Sequence, residues 1–189
     1  MPIIDFEKAR LSHIAPIFNW LDAPHVKEFW DNTPEHREDI VLFVNGRKEP
    51  SPYSDGIFTY WVGSIENEPY CLLMTSEMLD IPDLPEYYRD CLSKTGKTYS
   101  IDFMIGNEKY FGKGLAAPTL EAFTKFIQTN IDDTIDRFMI DPEEQNTRAK
   151  HVYEKAGFET ISEFISTHGS GYGIKHFLMI KDFPKKEQG

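Results

Sequence analysis

The stretch Ser100–Ala116, SIDFMIGNEKYFGKGLA, is followed after a short interval by Asp141–Phe158, DPEEQNTRAKHVYEKAGF. In the first, the apolar run Ile101–Ile105 reads as a strand, a turn follows, and Gly112 and Gly114 open an amphipathic helix. The first N–H groups of a helix have no partner inside it, and the aligned peptide dipoles put partial positive charge there. Glycine lets the backbone come close to an anion, so a strand, a Gly-x-Gly turn and a helix start predict a pyrophosphate site. Spacing separates this site from two better-known ones. A P-loop has four residues between its first glycine and the Gly-Lys pair, then Ser or Thr; here five separate Gly106 from Gly112, and Gly114 follows Lys113. A dinucleotide fingerprint has glycine where this chain has Ala117, and a ribose-binding acid about twenty residues on. Asp132, Asp133 and Asp136 lie near that distance, but in a polar turn before a strand rather than at a strand end.

The two stretches together resemble the acyl-CoA motifs of the GCN5-related N-acetyltransferases (GNATs), and in particular the aminoglycoside 6′-N-acetyltransferases. The residues that carry the resemblance are Ile101-Asp102, Gly112 to Leu115, Asp141-Pro142, Asn146, Arg148-Ala149 and Tyr153 to Phe158. Phe111 stands where the commonest superfamily pattern has Gln or Arg, so the phosphate contacts are expected to be mainly backbone. The resemblance implies an α/β (α+β) GNAT fold, a mixed, mostly antiparallel central sheet with helices on both faces, and acetyl-CoA as co-substrate. It places acetyl-CoA on Phe103, Met104 and Ile105, on Phe111, Gly112, Lys113, Gly114, Leu115 and Ala116, and on Asn146.

Length and composition agree with one domain over 1–184 and a short tail at 185–189, since 189 residues without linker, repeat or low-complexity run can bury a sizeable core. A formal net charge of −11 disfavours nucleic acid as a partner and favours a cationic small molecule. Asp5 and Glu7 stand where a signal peptide would be basic, and no apolar run reaches membrane-span length, so a cytoplasmic protein without membrane contact is expected, as monomer or homodimer. Cys71 and Cys91 lack metal-ligand spacing and the six histidines are scattered, so no metal is expected.

Outward from the glycine loop, the spacing predicts a strand over Thr98–Ile105 and a helix over Leu115–Thr129 with Leu120, Phe123 and Ile127 as its apolar stripe. Thr134–Ile140 reads as a strand, Asn146–Ala156 as a helix stopped by Gly157, and Glu159–Ser166 and Gly173–Ile180 as strands joined by His168–Gly171. Toward the N-terminus come a strand Ile3–Lys8, a helix Ser12–Leu21 capped by Ser12, a short helix His25–Trp30, and a helix from Thr33-Pro34 to Val44 ended by Asn45-Gly46. Strands Ile57–Ile65 and Pro69–Thr75 flank a hairpin connection at Glu66, Asn67 and Glu68.

The segment Ser76–Lys97 is long for a connection and rich in acids, which makes it a candidate acceptor loop through Asp80 and Asp83, or else a solvated surface excursion. By resemblance, Asp102 is the acid beside the acceptor amine and Tyr153 assists the departing thiolate; the alternatives are a hydrogen-bonded structural acid and a core aromatic. A carboxylate near pKa ~3.9 is a poor base for an ammonium near ~10, so Asp102 is expected to act by holding the cation, by a raised pKa, or through water. Trp30 and Trp61 are candidate pocket walls, with the core as the alternative for each. The expected reaction is direct acetyl transfer to a primary amine, an aminoglycoside 6′-amine first, which would make the protein an antibiotic-resistance enzyme. Another small amine or hydroxylamine, such as a siderophore precursor, polyamine or peptide, is the alternative acceptor, and a non-catalytic acyl-CoA sensor the alternative class.

Overall fold

The computed structural model describes residues 2–54, 56–167 and 171–183. The expected tail at 185–189 and the His168–Ser170 part of the last turn lie outside these residues. The strands are β1 (Asp5–Lys8), β2 (Thr59–Ile65), β3 (Glu68–Glu77), β4 (Lys97–Ile105), β5 (Ile135–Ile140), β6 (Glu159–Ile165) and β7 (Lys175–Asp182). They hydrogen-bond in the order β1-β2-β3-β4-β5-β7-β6. β4 and β5 run parallel from Lys97↔Ile135 to Ser100↔Met139, while β1–β2, β2–β3, β5–β7 and β6–β7 are antiparallel. The helices are α1 (Ile14–Asp22), α2 (Pro24–Lys27), α3 (Pro34–Val44), α4 (Glu86–Arg89), α5 (Ala116–Phe126) and α6 (Thr147–Lys155).

By contacts the chain divides into two compact units, Met1–Ser76 with Asp102–Thr119, and Glu77–Ile101 with Leu120–Gly189. The first contains β1, β2, nearly all of β3, the end of β4 and α1–α3. Its core gathers Ile17 and Leu21 of α1, Ile40 of α3, Val62 of β2, Leu72 of β3 and Met104 of β4. Residues Glu66 and Asn67 both have positive φ, 52° and 64°, the signature of the two-residue turn whose twist matches that of the flanking strands. The hairpin connection is therefore shorter than expected, with Glu68 already paired to Ile65. A Cβ at Gly63 would run into the sulfur of buried Cys71 across this hairpin.

α3 begins as expected. Thr33 is its N-cap, its hydroxyl accepting from the His36 N–H at 3.2 Å, and Gly46 beyond the end has φ +83°. The first helix differs: Leu11–His13 form a 3₁₀ turn and α1 starts at Ile14, so Ser12 is not its cap. Pro16 is the reason. With Ser12 as N-cap, Pro16 would be the fourth helical residue, whose N–H must bond back to the cap; starting at Ile14 makes it the third, where that donor has no helical partner.

The second unit holds β6, β7 and α6 around Met139, Phe164 and Leu178. Asn146 caps α6 by accepting from the Ala149 N–H at 3.0 Å. At the other end Gly157 has φ +88°, its N–H bonds to the carbonyl of Glu154 at 3.1 Å, and the Phe158 N–H bonds to that of Tyr153 at 3.0 Å. This paired closure satisfies the carbonyls that the helix end orphans. α5 is regular only to Phe126 and is followed by a π turn over Ile127–Ile131. The Ser76–Lys97 connection is shortened by the extension of β3 to Glu77 and interrupted by α4.

Candidate functional site

In the first unit, β4 ends against β3: the N–H groups of Gly106 and Asn107 both donate to the Tyr70 carbonyl, at 2.9 and 3.1 Å. Earlier in the strand, the Thr98 carbonyl accepts from Met78 just beyond β3, whereas the Lys97 N–H donates to Thr134 just before β5. Main-chain groups alternate sides along a strand. Even-numbered residues of β4 thus face β3, and Phe103 and Ile105 turn their N–H and C=O groups to the opposite edge. Met104, expected to bind through its backbone with its neighbours, faces β3 instead and buries its side chain in the core.

After Asn107 caps a 3₁₀ turn at Glu108–Tyr110, Phe111 is extended and Gly112 and Gly114 adopt φ +67° and +68°. Other L-residues rarely take this conformation, and a Cβ at either glycine would meet nothing within 4 Å, so backbone shape rather than crowding requires glycine here. The loop has open space beside it and the start of α5 immediately after it, as an anion cradle needs. Lys113 is exposed with its Nζ 5.3 Å from the Tyr110 ring centroid. The first turn of α5 is pinned: Thr119 Oγ1 donates to the Leu115 carbonyl at 2.6 Å and shares a 2.6 Å hydrogen bond with the buried Tyr70 hydroxyl. Leu115 is buried and Ala116 half-buried.

Asp102 is half-buried in the same unit, and its charge reaches a residue the sequence reading did not single out. Burial raises the Tyr53 hydroxyl well above its ordinary pKa, and the charge of Asp102 raises it further. Tyr53 stacks on His36, with centroids 4.5 Å apart and planes at 10°, and Trp30 lies 6.2 Å from the same imidazole. His36 Nδ1 is 2.6 Å from the Asp31 carbonyl, which fixes the proton on that nitrogen, and burial lowers its pKa. Trp30 is thus part of an aromatic group with His36 and Tyr53, one member of which feels the charge of Asp102. Trp61, by contrast, is a core residue, buried and donating from Nε1 to Thr75 at 2.9 Å. Below this group Asp39 is almost wholly buried and accepts from Arg47 at 2.8 Å, from the Tyr60 hydroxyl at 2.6 Å and from Ser51.

In the second unit, Tyr153 is buried on α6 with its ring 6.3 Å from that of Phe158. The Asn146 side-chain oxygen is engaged in capping, and its amide nitrogen can donate to a further contact. Asp80 is paired with Arg89, Oδ1 to Nε at 2.8 Å, and the same guanidinium holds the carbonyls of Ile81 and Pro82. Its charge is therefore partly spent within the loop, while Asp83 is exposed. The loop is not a plain solvated excursion: Tyr87 stacks on Phe164 at 4.1 Å, and Tyr88 donates to Asp141 Oδ2 at 2.5 Å. Burial raises the Asp141 pKa, the Tyr88 hydrogen bond opposes that shift, and the Asp141 carbonyl engages His176 Nδ1 at 2.8 Å. In the sequence Asp141 shows only as a motif residue, because its partners lie 53 and 35 positions away. Among the described residues no three His, Cys, Asp or Glu side chains form a metal-binding group, and no helix is long and apolar enough to cross a membrane.

Comparison with known proteins places this geometry. The chain is 25% identical over 146 residues to the aminoglycoside N(6′)-acetyltransferases type 1 of Klebsiella pneumoniae and of Serratia marcescens, covering 77% of this chain and 69% of each relative. Its structure superposes on the aminoglycoside N(6′)-acetyltransferase of Legionella pneumophila with a TM-score of 0.71, at 30% identity and over 94% of this chain and 90% of that one. It shares its fold with aminoglycoside acetyltransferase AAC(6′)-Ib, solved with coenzyme A and kanamycin, at a TM-score of 0.72 and 19% identity over 95% of each chain. Residues 10–165 match the family described as Acetyltransferase (GNAT) domain. That span takes in the glycine loop, Asp102 and Tyr153 alike, and by it the chain belongs to the GNAT acetyltransferases.

Proposed function

We propose that this acetyltransferase moves acetyl from acetyl-CoA directly to a primary amine of a cationic acceptor, an aminoglycoside 6′-amine. The observation that carries the reading is the Gly112–Gly114 loop, with two positive-φ glycines, open space beside both and a helix start behind them. Its N–H groups hold pyrophosphate, and the outward edge of β4 at Phe103 and Ile105 receives the pantetheine arm as an added strand. The family match runs through both compact units without a break, which supports a single functional domain.

Acetyl-CoA supplies an activated thioester carbonyl. Asp102 holds the acceptor ammonium and orients the amine once it has lost a proton to water. A carboxylate and an ammonium about 4 Å apart attract by roughly 4 kcal/mol at an effective dielectric near 20, before desolvation. The N–H of Phe103 or Ile105 receives the charge that develops on the carbonyl oxygen. Tyr153 donates a hydrogen bond to the departing sulfur; a phenol near pKa ~10 does not fully protonate a thiolate near ~8.5, so the assistance is by hydrogen bonding. Support for the acceptor class comes from the relatives' names, from the half-buried Asp102 whose charge is felt at Tyr53, and from the net charge of −11.

The test is thiol release from acetyl-CoA by purified protein over a panel of kanamycin, ribostamycin, spermidine, a hydroxylamine and amino acids, with product mass measured. Acetylated kanamycin or ribostamycin, with turnover falling as salt rises, is the expected result. Turnover of only a neutral amine or hydroxylamine overturns the acceptor and keeps the transferase; CoA binding without turnover of any acceptor leaves the sensor reading.

A further inference from the structure

One imidazole joins α2 to two points of the proposed acetyl-CoA segment. His25 Nε2 lies 3.3 Å from the Ile105 carbonyl oxygen, 80 residues further along the chain. Its ring meets that of Phe111 edge-on, with centroids 4.5 Å apart and planes at 87°. Its Nδ1 is 3.8 Å from Glu108 Oε1, and its side chain is 29% exposed. A carbonyl only accepts, so Nε2 carries the proton.

The positions of the two partners give the contact its meaning. Ile105 is the last residue of β4, and its main chain faces the edge turned away from β3, the edge on which an added strand would lie. Its carbonyl would otherwise await a donor from that strand, and His25 supplies one. Phe111 immediately precedes Gly112, the first positive-φ residue of the anion loop. The corner from which His25 reaches out is itself fixed: Trp20 of α1 is buried against Gly106, where a Cβ would run into the indole. Val26, next to His25, is buried in the same core.

We propose that His25 is a positioning residue for acetyl-CoA, holding the end of β4 through Ile105 and the entry to the glycine loop through Phe111. The inference rests on the function proposed above. His25 does not touch the thioester; by occupying the Ile105 carbonyl it keeps the Phe103 and Ile105 N–H groups aimed outward, and by bracing Phe111 it sets where the loop begins. The two contacts are separable, because glutamine retains a donor without a ring and phenylalanine a ring without a donor.

The test is calorimetry with CoA on wild type, His25→Ala, His25→Gln and His25→Phe, with KM for acetyl-CoA as the second readout. One hydrogen bond and one ring contact predict a loss of CoA affinity of about tenfold for His25→Ala, with partial recovery in His25→Gln and in His25→Phe. A folded His25→Ala with wild-type affinity overturns the proposal. So do Gln and Phe variants that bind no better than Ala, since general damage would not distinguish them. Should His25→Ala not fold, the other two decide: each must lose affinity, and wild-type affinity in both refutes the role. Wild-type protein that binds no CoA removes the underlying function and the proposal with it, whereas wild-type binding with an unaffected Ala variant removes the proposal alone.

Discussion

Single side chains separate stability from chemistry in this protein. Asp39 is 2% and Arg47 6% exposed, and removing one member of such a pair strands a buried charge. Asp39→Asn is therefore expected to lower unfolding free energy by about 3–5 kcal/mol in urea titrations, with CoA affinity retained in whatever remains folded. Tyr153 is the opposite case under the proposed mechanism. Tyr153→Phe keeps the buried ring and its packing against Phe158, so CoA affinity stays near wild type while kcat falls by about 10²-fold. Steady-state and single-turnover kinetics check this, and unchanged turnover with acetyl transfer rate-limiting would return Tyr153 to the core. Asp102, Tyr153 and the glycines stood out in the sequence because they sit in contiguous motifs. Tyr53 and His36 did not, since a lone tyrosine and a lone histidine announce nothing until folding brings one under the charge of Asp102 and stacks the other on it.

Secondary-structure elements were legible wherever local chemistry decides them. Thr33-Pro34, Asn146, Gly46 and Gly157 mark helix ends through caps and positive φ that the residue type itself supplies. α1 starts later than Ser12 implies because Pro16 cannot supply the N–H of a fourth helical residue, and the connection after β3 has contacts that no local pattern shows, since Tyr87 and Tyr88 find their partners on β6 and after β5. Two predictions belong at this level. Valine at Gly114 must enter the left-handed region, costing about 1–2 kcal/mol, and its branches would fill the space beside the loop; the expected result is a folded protein whose CoA affinity drops at least about tenfold by calorimetry. Asn146→Asp keeps an oxygen for the Ala149 N–H but removes the amide donor. Its melting temperature is expected to stay within a few degrees of wild type while KM for acetyl-CoA rises, whereas Asn146→Ala also loses about 1 kcal/mol of stability.

For the molecule as a whole, pH acts through groups far apart in sequence. Burial lowers the pKa of His36 and of His13 below the ordinary 6.5. Between the lowered value and 6.5 the unfolded chain binds protons that the native state does not, so this stability is complete above about 6.5 and is lost as pH falls. Asp141 runs the other way: its raised pKa contributes fully below 3.8 and is lost as pH rises through the folded value. Unfolding free energies from urea titrations between about pH 7.5 and about 5.5 are expected to decline as pH falls, by up to about 1.4 kcal/mol per pH unit for each histidine, and His36→Phe is expected to flatten the slope. A profile unchanged by that substitution would assign the decline elsewhere. The orientation of β4 has a different kind of consequence. What Phe103 and Ile105 turn outward is peptide, which every residue but proline carries, while under the proposed mechanism the amine is met by a side chain, that of Asp102. A lineage built this way can rewrite its taste in amines by ordinary substitutions and leave its grip on the acyl donor untouched, so new acceptors are evolutionarily cheap and a new donor is not.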